Sequence, residues 1–98
     1  MKIAVASEGR TVDSSVSAWG GRAPYYLIFE DKELKEVWVN PFSRGGGGAG
    51  WSVAHMLAEK GVEKVILANI GPNMEVALQE KGIQVEIASG PVKEILGL

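Results

Sequence analysis

The pattern of hydrophobic and polar residues predicts three strands in the N-terminal half of the chain. Residues 2–7 form a short apolar run followed by polar residues, which is typical of a buried strand entering a loop. Residues 25–29 and 36–40 are aromatic and β-branched, and the polar segment 31–33 between them predicts a hairpin. Residues 8–24 are rich in serine and glycine, so we expect a long loop, and loops of this length are often functional.

Helical spacing of apolar residues first appears after the glycine-rich run 45–50. Over residues 51–60 the apolar side chains share one arc of a helical wheel, and Gly61 follows as the expected stop. A second helix is predicted to begin at residues 71–73, with proline in its first turn, and to stop at Gly82. The residues expected on the inner faces of these helices are Val53, Ala54, Leu57, Ala58, Met74, Ala77 and Leu78.

Apolar strands are predicted to alternate with these helices. The continuous run Val65-Ile66-Leu67 within residues 64–68 is typical of a central strand covered on both faces. Residues 83–87 alternate as a last strand, and a short helix is predicted to follow residues 89–91. The resulting order, β-β-β-α-β-α-β-α, predicts a three-layer α/β fold with a mixed sheet. The length of 98 residues predicts a single domain over residues 1–98.

The charge and composition of the chain argue against several classes of function. The formal net charge is -2 and the isoelectric point is about 5.4, so there is no excess of positive charge for a nucleic-acid partner. No apolar run approaches the roughly 20 residues of a membrane span, and we expect a cytoplasmic protein without a membrane partner. The carboxylates show no catalytic clustering, so we expect no enzymatic activity.

The scarcity of cysteine and histidine limits the available metal chemistry. Cysteine is absent and His55 is the single histidine, so one chain cannot form a disulfide, a thiolate nucleophile or a closed Cys/His zinc site. His55 lies at the border of the apolar arc of its helix, and we expect it to be a partly exposed packing residue.

Three predicted helix N-termini and three arginines point to a site for an anionic ligand. Each helix begins after a glycine-containing turn, and helix N-termini present free N–H groups and a partial positive charge. Arg10, Arg22 and Arg44 lie in glycine-containing loops, and arginine is suited to forked hydrogen bonds with oxyanions. The alternative, in which the glycines serve tight turns and the arginines are solvated, has equal weight at this point.

The glycine run 45–50 matches two phosphate-binding motifs only in part. Its spacing fits the dinucleotide fingerprint, but the acidic residue expected about 20 positions later is missing. It also fits the spacing of a P-loop, but Trp51 occupies the position of the phosphate-binding lysine. The favoured interpretation is a mobile loop with free backbone amides.

Four segments of the chain form a recognisable set of motifs. They are Gly21-Arg22-Ala23-Pro24-Tyr25-Tyr26, Asn40-Pro41 with residues 47–50, Asn69-Ile70-Gly71-Pro72-Asn73, and Ala88-Ser89-Gly90. In this order they resemble the dinitrogenase iron-molybdenum cofactor biosynthesis family. The resemblance implies a ribonuclease-H-like fold, with a five-stranded mixed sheet of order 3-2-1-4-5 and three helices, and a carrier or chaperone of metal clusters. The chain departs from the family where Trp19 replaces a common histidine, and where Arg44 and glycines replace another.

The resemblance and the arginine-containing loops together favour a non-enzymatic carrier of an anionic metal–sulfur cluster. The cluster would be of the iron-molybdenum or thiomolybdate type, held mainly by backbone amides and Arg22, with no side chain as a metal ligand. An alternative is a regulatory or scaffold module that binds a phosphate-bearing metabolite or a protein partner without a metal. We expect a monomer or a weak homodimer. The predicted cofactor-binding residues are Trp19, Arg22, Gly47, Gly48, Gly50, Asn69, Gly71, Ser89 and Gly90.

Overall fold

The computed structural model describes residues 1–44 and 48–98, and regular structure within them follows the predicted order. The strands are β1 (Lys2–Ser7), β2 (Tyr25–Glu30), β3 (Glu33–Val39), β4 (Lys64–Leu67) and β5 (Gln84–Ile87). The helices are α1 (Ala49–Glu59), α2 (Pro72–Glu80) and α3 (Val92–Leu96). None of these helices is long and apolar enough to cross a membrane.

The five strands form one mixed sheet in the order β3-β2-β1-β4-β5. β1 and β3 each run antiparallel to β2, whereas β4 runs parallel to both β1 and β5. The predicted α/β fold class with strand order 3-2-1-4-5 is therefore confirmed. Because β1, β4 and β5 are parallel, their carboxyl ends lie at the same edge of the sheet, where ligands gather in open α/β folds.

Alternate residues along the strands bury opposite faces of the sheet, which gives the predicted three layers. One face carries Ala4 and Tyr26 and packs against α1 and α2. The other face carries Val5 and Leu27 and packs against α3. The predicted inner faces of α1 and α2 are confirmed, except that Ala58 is half-buried.

The hairpin between β2 and β3 is tighter than predicted. Its turn consists of Asp31 and Lys32, with φ of 51° and 67°, instead of the three residues 31–33. Two-residue turns with positive φ at both positions match the twist of the flanking strands, so the pairing continues up to the turn. β3 therefore begins at Glu33 instead of residue 36, in a polar segment that the hydrophobic pattern could not identify as a strand.

The long connection between β1 and β2 folds back over the end of the sheet. The N–H of Ser17 donates to the carbonyl of Ala6 (2.7 Å), and the carbonyl of Ser17 accepts from the N–H of Ala68 (2.9 Å). Ser17 thereby joins the ends of β1 and β4. Further hydrogen bonds link residues 12–16 to residues 90–93, at the start of α3.

Candidate functional site

A cavity of about 230 Å³ lies where the N-termini of α1 and α2 meet the connection that follows β1. Three segments line this cavity: residues 19–22, residues 48–50 and residues 71–74. α2 directly follows β4, so the cavity is at the carboxyl edge of the parallel strands. This is the edge at which the sheet topology predicts a ligand.

The N-termini of α1 and α2 present backbone N–H groups at the cavity without side-chain caps. The first hydrogen bonds of the two helices run from Ser52 to Gly48 and from Glu75 to Gly71, both at 3.1 Å. Within the described part of the chain, no acceptor receives the amide N–H of Ala49. Since each N-terminus carries a partial positive charge, the two helices together favour an anion at this place.

The segments around the cavity approach so closely that glycine is required at their contacts. A Cβ atom added to Gly50 would lie 2.8 Å from the Cβ atom of Met74, and one added to Gly21 would lie 2.9 Å from the backbone nitrogen of Gly50. A Cβ atom on Gly20 would lie 2.5 Å from the sulfur of Met74. The cavity is therefore walled largely by backbone. The sequence analysis missed Gly20 and Gly21 as site residues, although the adjacent glycines after Trp19 were a usable signal.

Buried polar side chains hold the backbone carbonyl groups in and beside residues 19–22, the first of the three segments that line the cavity. The phenol of Tyr26 donates a hydrogen bond to the carbonyl of Gly20, and the side-chain amide of Asn40 donates to the carbonyls of Gly21 (3.0 Å) and Ala23 (2.9 Å). Burial raises the pKa of Tyr26 well above its ordinary value, so its hydroxyl remains a neutral donor. These contacts hold the backbone on both sides of Arg22 in one conformation.

Arg22 and Trp19 supply the side chains of this wall. Arg22 is exposed at the mouth of the cavity and is the ionisable residue among its described lining residues. Trp19 is 60% exposed and covers one side, while Trp51, 42% exposed, follows the lining segment of α1. A positive guanidinium and backbone amides suit an anion, and the apolar surface of the ring favours one with a weakly held hydration shell.

The structure brings five of the predicted site residues together and separates three others. Gly47 lies outside the described residues. Asn69 is exposed, and its side-chain oxygen accepts the N–H of Ile70 (2.9 Å). The carbonyl of Gly90 accepts a hydrogen bond from the N–H of Val16 (2.9 Å), and Ser89 directly precedes Gly90, before the start of α3. The residues that line the cavity are Trp19, Arg22, Gly48, Gly50 and Gly71.

The described residues contain no group of three or more His, Asp or Glu side chains that could hold a metal ion. His55 is exposed on α1, where its Nε2 atom lies 2.6 Å from a carboxylate oxygen of Glu59, one turn further along the helix. It is more exposed than predicted, because α1 buries Val53, Ala54 and Leu57 on its other face. The described residues that line the cavity include no His, Asp or Glu.

The fold and the cavity define a small three-layer α/β protein with a candidate anion site between two helix N-termini. The chain belongs to the dinitrogenase iron-molybdenum cofactor family, whose model matches residues 1–98. Among curated proteins, none matches the chain.

Two solved structures are similar over nearly the whole chain. One is the NMR structure of a protein from Thermotoga that is described as a candidate NifB protein of the DUF35 family, with 32% identity and a TM-score of 0.82. The match covers 98% of this chain and 84% of that one. The other is the apo form of the orange protein from Desulfovibrio gigas, with 28% identity and a TM-score of 0.88, covering 98% of this chain and 83% of that one.

Proposed function

We propose that this protein is a non-enzymatic carrier that binds an anionic metal–sulfur cluster as cargo in the cavity between α1 and α2. The observation that carries the proposal is the meeting of two uncapped helix N-termini and Arg22 at one cavity. Membership of a family named for the iron-molybdenum cofactor supports the class of cargo. A cluster of the iron-molybdenum or thiomolybdate type is an anion, and helix N-termini with free backbone amides favour anions.

Backbone amides form the main part of the proposed binding surface. The N–H groups of Ala49, Gly50 and Asn73 belong to the first turns of the two helices and line the cavity. Terminal sulfides of the cargo would accept these hydrogen bonds, while the guanidinium of Arg22 would balance its charge. Trp19 and the buried Met74 give the cavity an apolar side, which favours a poorly hydrated thiometallate over a strongly hydrated oxyanion.

The cargo would enter and leave as an intact cluster. Coordination by side chains would require thiolate, imidazole or carboxylate groups at the cavity, and its described lining residues have none of these. Hydrogen bonds and charge can hold and release an anion without exchange of metal ligands. This mode of binding is appropriate to a carrier, and it requires no catalytic side chain.

A backbone-amide NMR titration tests the proposal, with tetrathiomolybdate, molybdate and ATP added to separate samples. We expect saturable shifts of the Ala49, Gly50 and Asn73 resonances with tetrathiomolybdate and weaker effects of molybdate. The amides of Val92 and Lys93 in α3 are the internal control, because the carbonyls of Ser14 and Val12 already accept their hydrogen bonds.

The same titration separates the carrier from the alternative function. Because helix N-termini and arginine also suit phosphate, a module for a phosphate-bearing metabolite would respond to ATP at these amides. Saturation by ATP without a response to tetrathiomolybdate would favour that alternative. No response of the three cavity amides to tetrathiomolybdate would contradict the carrier proposal.

A further inference from the structure

A second positively charged surface lies beside the cavity, at the end of the β2–β3 hairpin that is remote from its turn. It is a groove of about 440 Å³, here called the arginine groove. The guanidinium carbon of Arg10 lies 4.9 Å from the centroid of the Tyr25 ring, so Arg10 adjoins the groove through this ring. All three arginines of the chain are therefore gathered in one region. The lining residues are Arg22, Pro24, Tyr25, Val39, Ser43 and Arg44.

The charge of the arginine groove contrasts with that of the whole molecule. The chain carries a formal net charge of -2, yet the described residues that line this groove include no acidic residue. Elsewhere, several lysines lie beside carboxylates, as in the pairs Lys60–Glu36 (2.7 Å) and Lys93–Asp13 (2.7 Å). The local excess of guanidinium groups is the pattern expected of a surface that recognises carboxylates.

The walls of the groove belong to well-ordered parts of the fold. Tyr25 and Val39 are directly paired across β2 and β3, and the N–H of Asn40 donates to the carbonyl of Pro24 (3.0 Å). The buried side chain of Asn40 also accepts the N–H of Phe42 (2.9 Å), which fixes the turn that leads to Arg44. The stacking of Arg10 on Tyr25 restricts the Arg10 side chain in the same way. The backbone that carries the groove and the Arg10 side chain are thus held in place before any ligand arrives.

We propose that the arginine groove docks an extended acidic segment of a partner protein. Half-exposed Val39 and the ring of Pro24 provide apolar contacts between the guanidinium groups. An extended segment that carries both carboxylates and apolar side chains on the same face, at positions i, i+2 and i+4, satisfies both kinds of contact, whereas a small anion would use the charges alone. β3 is at the edge of the sheet, so no further strand of the described sheet blocks the path of such a segment.

This inference does not depend on the cargo of the cavity. Arg22 lines both sites, so a docked segment would lie next to the mouth of the cavity. Arg10 and Arg44 are absent from the cavity lining and are the residues through which the groove is tested separately.

A fluorescein-labelled ten-residue peptide built on the repeat Glu-Glu-Val-Val is the probe, because each face of this peptide carries both residue types when it is extended. Fluorescence anisotropy measures its binding to the full chain. We expect saturable binding, at least about tenfold weaker for Arg44→Ala, because one charge-assisted hydrogen-bonding group is lost. The double variant R10A/R44A should lose more. Lys81→Ala removes the same charge from the far end of α2 and should leave the affinity unchanged. Binding of tetrathiomolybdate should be the same in R10A/R44A as in the unmodified protein.

Four results would overturn the inference. The first is equal binding of a peptide with Gln in place of Glu, and the second is an equal loss of affinity in K81A, which would mean unspecific attraction. The third is arginine-dependent binding of inorganic tripolyphosphate without binding of the peptide, which would indicate a small-anion site. The fourth is a concentration-dependent dimer in sedimentation that R44A abolishes, which would make a second copy of this chain the occupant.

Discussion

The N-termini of α1 and α2 and the N-terminus of α3 all follow glycine-containing turns, but their backbone N–H groups have different fates. Those of α1 and α2 face a cavity without caps. In α3, the N–H of Val92 donates to the carbonyl of Ser14 and that of Lys93 to the carbonyl of Val12, both at 2.9 Å. A helix N-terminus is therefore available to a ligand only where the rest of the chain leaves its amides without acceptors.

The long connection after β1 produces this difference. Its first part, residues 12–16, covers the start of α3, and its last part, residues 19–22, becomes a wall of the cavity. The bridge at Ser17 between the ends of β1 and β4 separates these two parts. The connection thus supplies acceptors for the N–H groups of α3, and it leaves a cavity beside the N-termini of α1 and α2.

The largest effect is expected at the close contact between Gly50 of α1 and Met74 of α2, beside the two open N-termini. Gly50→Val would place side-chain atoms where a Cβ already lies 2.8 Å from the Cβ of Met74. We expect the free energy of unfolding to fall by roughly 1–3 kcal/mol through overpacking, and binding of tetrathiomolybdate to be lost. Urea denaturation and the NMR titration measure the two effects.

Gly71→Ala is the matched control for this substitution. An added Cβ at Gly71 has no neighbour within 4 Å among the described residues, and φ at this position is -79°. Stability should be retained, so the comparison isolates the overpacking at Gly50. If G50V bound tetrathiomolybdate as well as the unmodified protein, the cargo could not lie against the first turn of α1.

The next largest effect is expected where a buried side chain holds the cavity wall. Asn40→Ala removes the donors to the carbonyls of Gly21 and Ala23 and leaves both without these partners. We expect a loss of about 1–3 kcal/mol in the free energy of unfolding, together with weaker binding of tetrathiomolybdate. Asn69→Ala is the control, because the exposed Asn69 side chain accepts a hydrogen bond from its own neighbour Ile70 (2.9 Å), and its removal should cost little stability. Equal stability of the two variants would contradict a structural role for Asn40.

A smaller effect, confined to binding, is expected when the positive charge of Arg22 is removed from the cavity. Arg22→Ala should weaken the binding of tetrathiomolybdate by about tenfold, because a charge-assisted contact is lost, with little change in stability. Lys81→Ala has the same change in net charge, far from the cavity, and should bind normally. An unchanged affinity in R22A would remove Arg22 from the site and leave the amides as its main component.

The sequence was sufficient for the features of the fold that depend on local pattern. The apolar run Val65-Ile66-Leu67 identified β4, an interior strand of the sheet, and Gly71-Pro72 identified the start of α2. The hairpin turn was misplaced by one residue at its end, because the polar residues after Lys32 pair as an edge strand that buries little.

The site was predictable only in part, because its decisive contacts join distant residues. Gly48, Gly50 and Gly71 could be proposed from their positions before helices. The role of Asn40 could not, since its side chain contacts backbone 17 and 19 residues earlier in the chain. Gly90 met the same local criteria as Gly71 but is engaged by Val16, which no local pattern indicates.

The smallest effect is expected at the closed N-terminus, where an exposed ion pair joins the connection to α3. The Nζ atom of Lys93 lies 2.7 Å from a carboxylate oxygen of Asp13, and this hydrogen bond raises the pKa of Lys93 above its ordinary value. Any stability gained from a raised lysine pKa is present below the ordinary value of about 10.4 and is lost as the pH rises through the folded-state pKa. Asp13→Asn should therefore lower the melting temperature only slightly at neutral pH, and the difference from the unmodified protein should vanish at strongly alkaline pH.

Amide hydrogen exchange measures whether the Lys93–Asp13 ion pair or the backbone hydrogen bonds protect the N-terminus of α3. We expect the amides of Val92 and Lys93 to stay protected in D13N, because their acceptors are the carbonyls of Ser14 and Val12 and not the Asp13 side chain. Glu63→Gln, at an exposed position before β4, controls for the loss of one negative charge. If D13N lost this protection and E63Q kept it, the surface pair would be what distinguishes the closed N-terminus from the two open ones, and its removal should then allow anions to bind at α3.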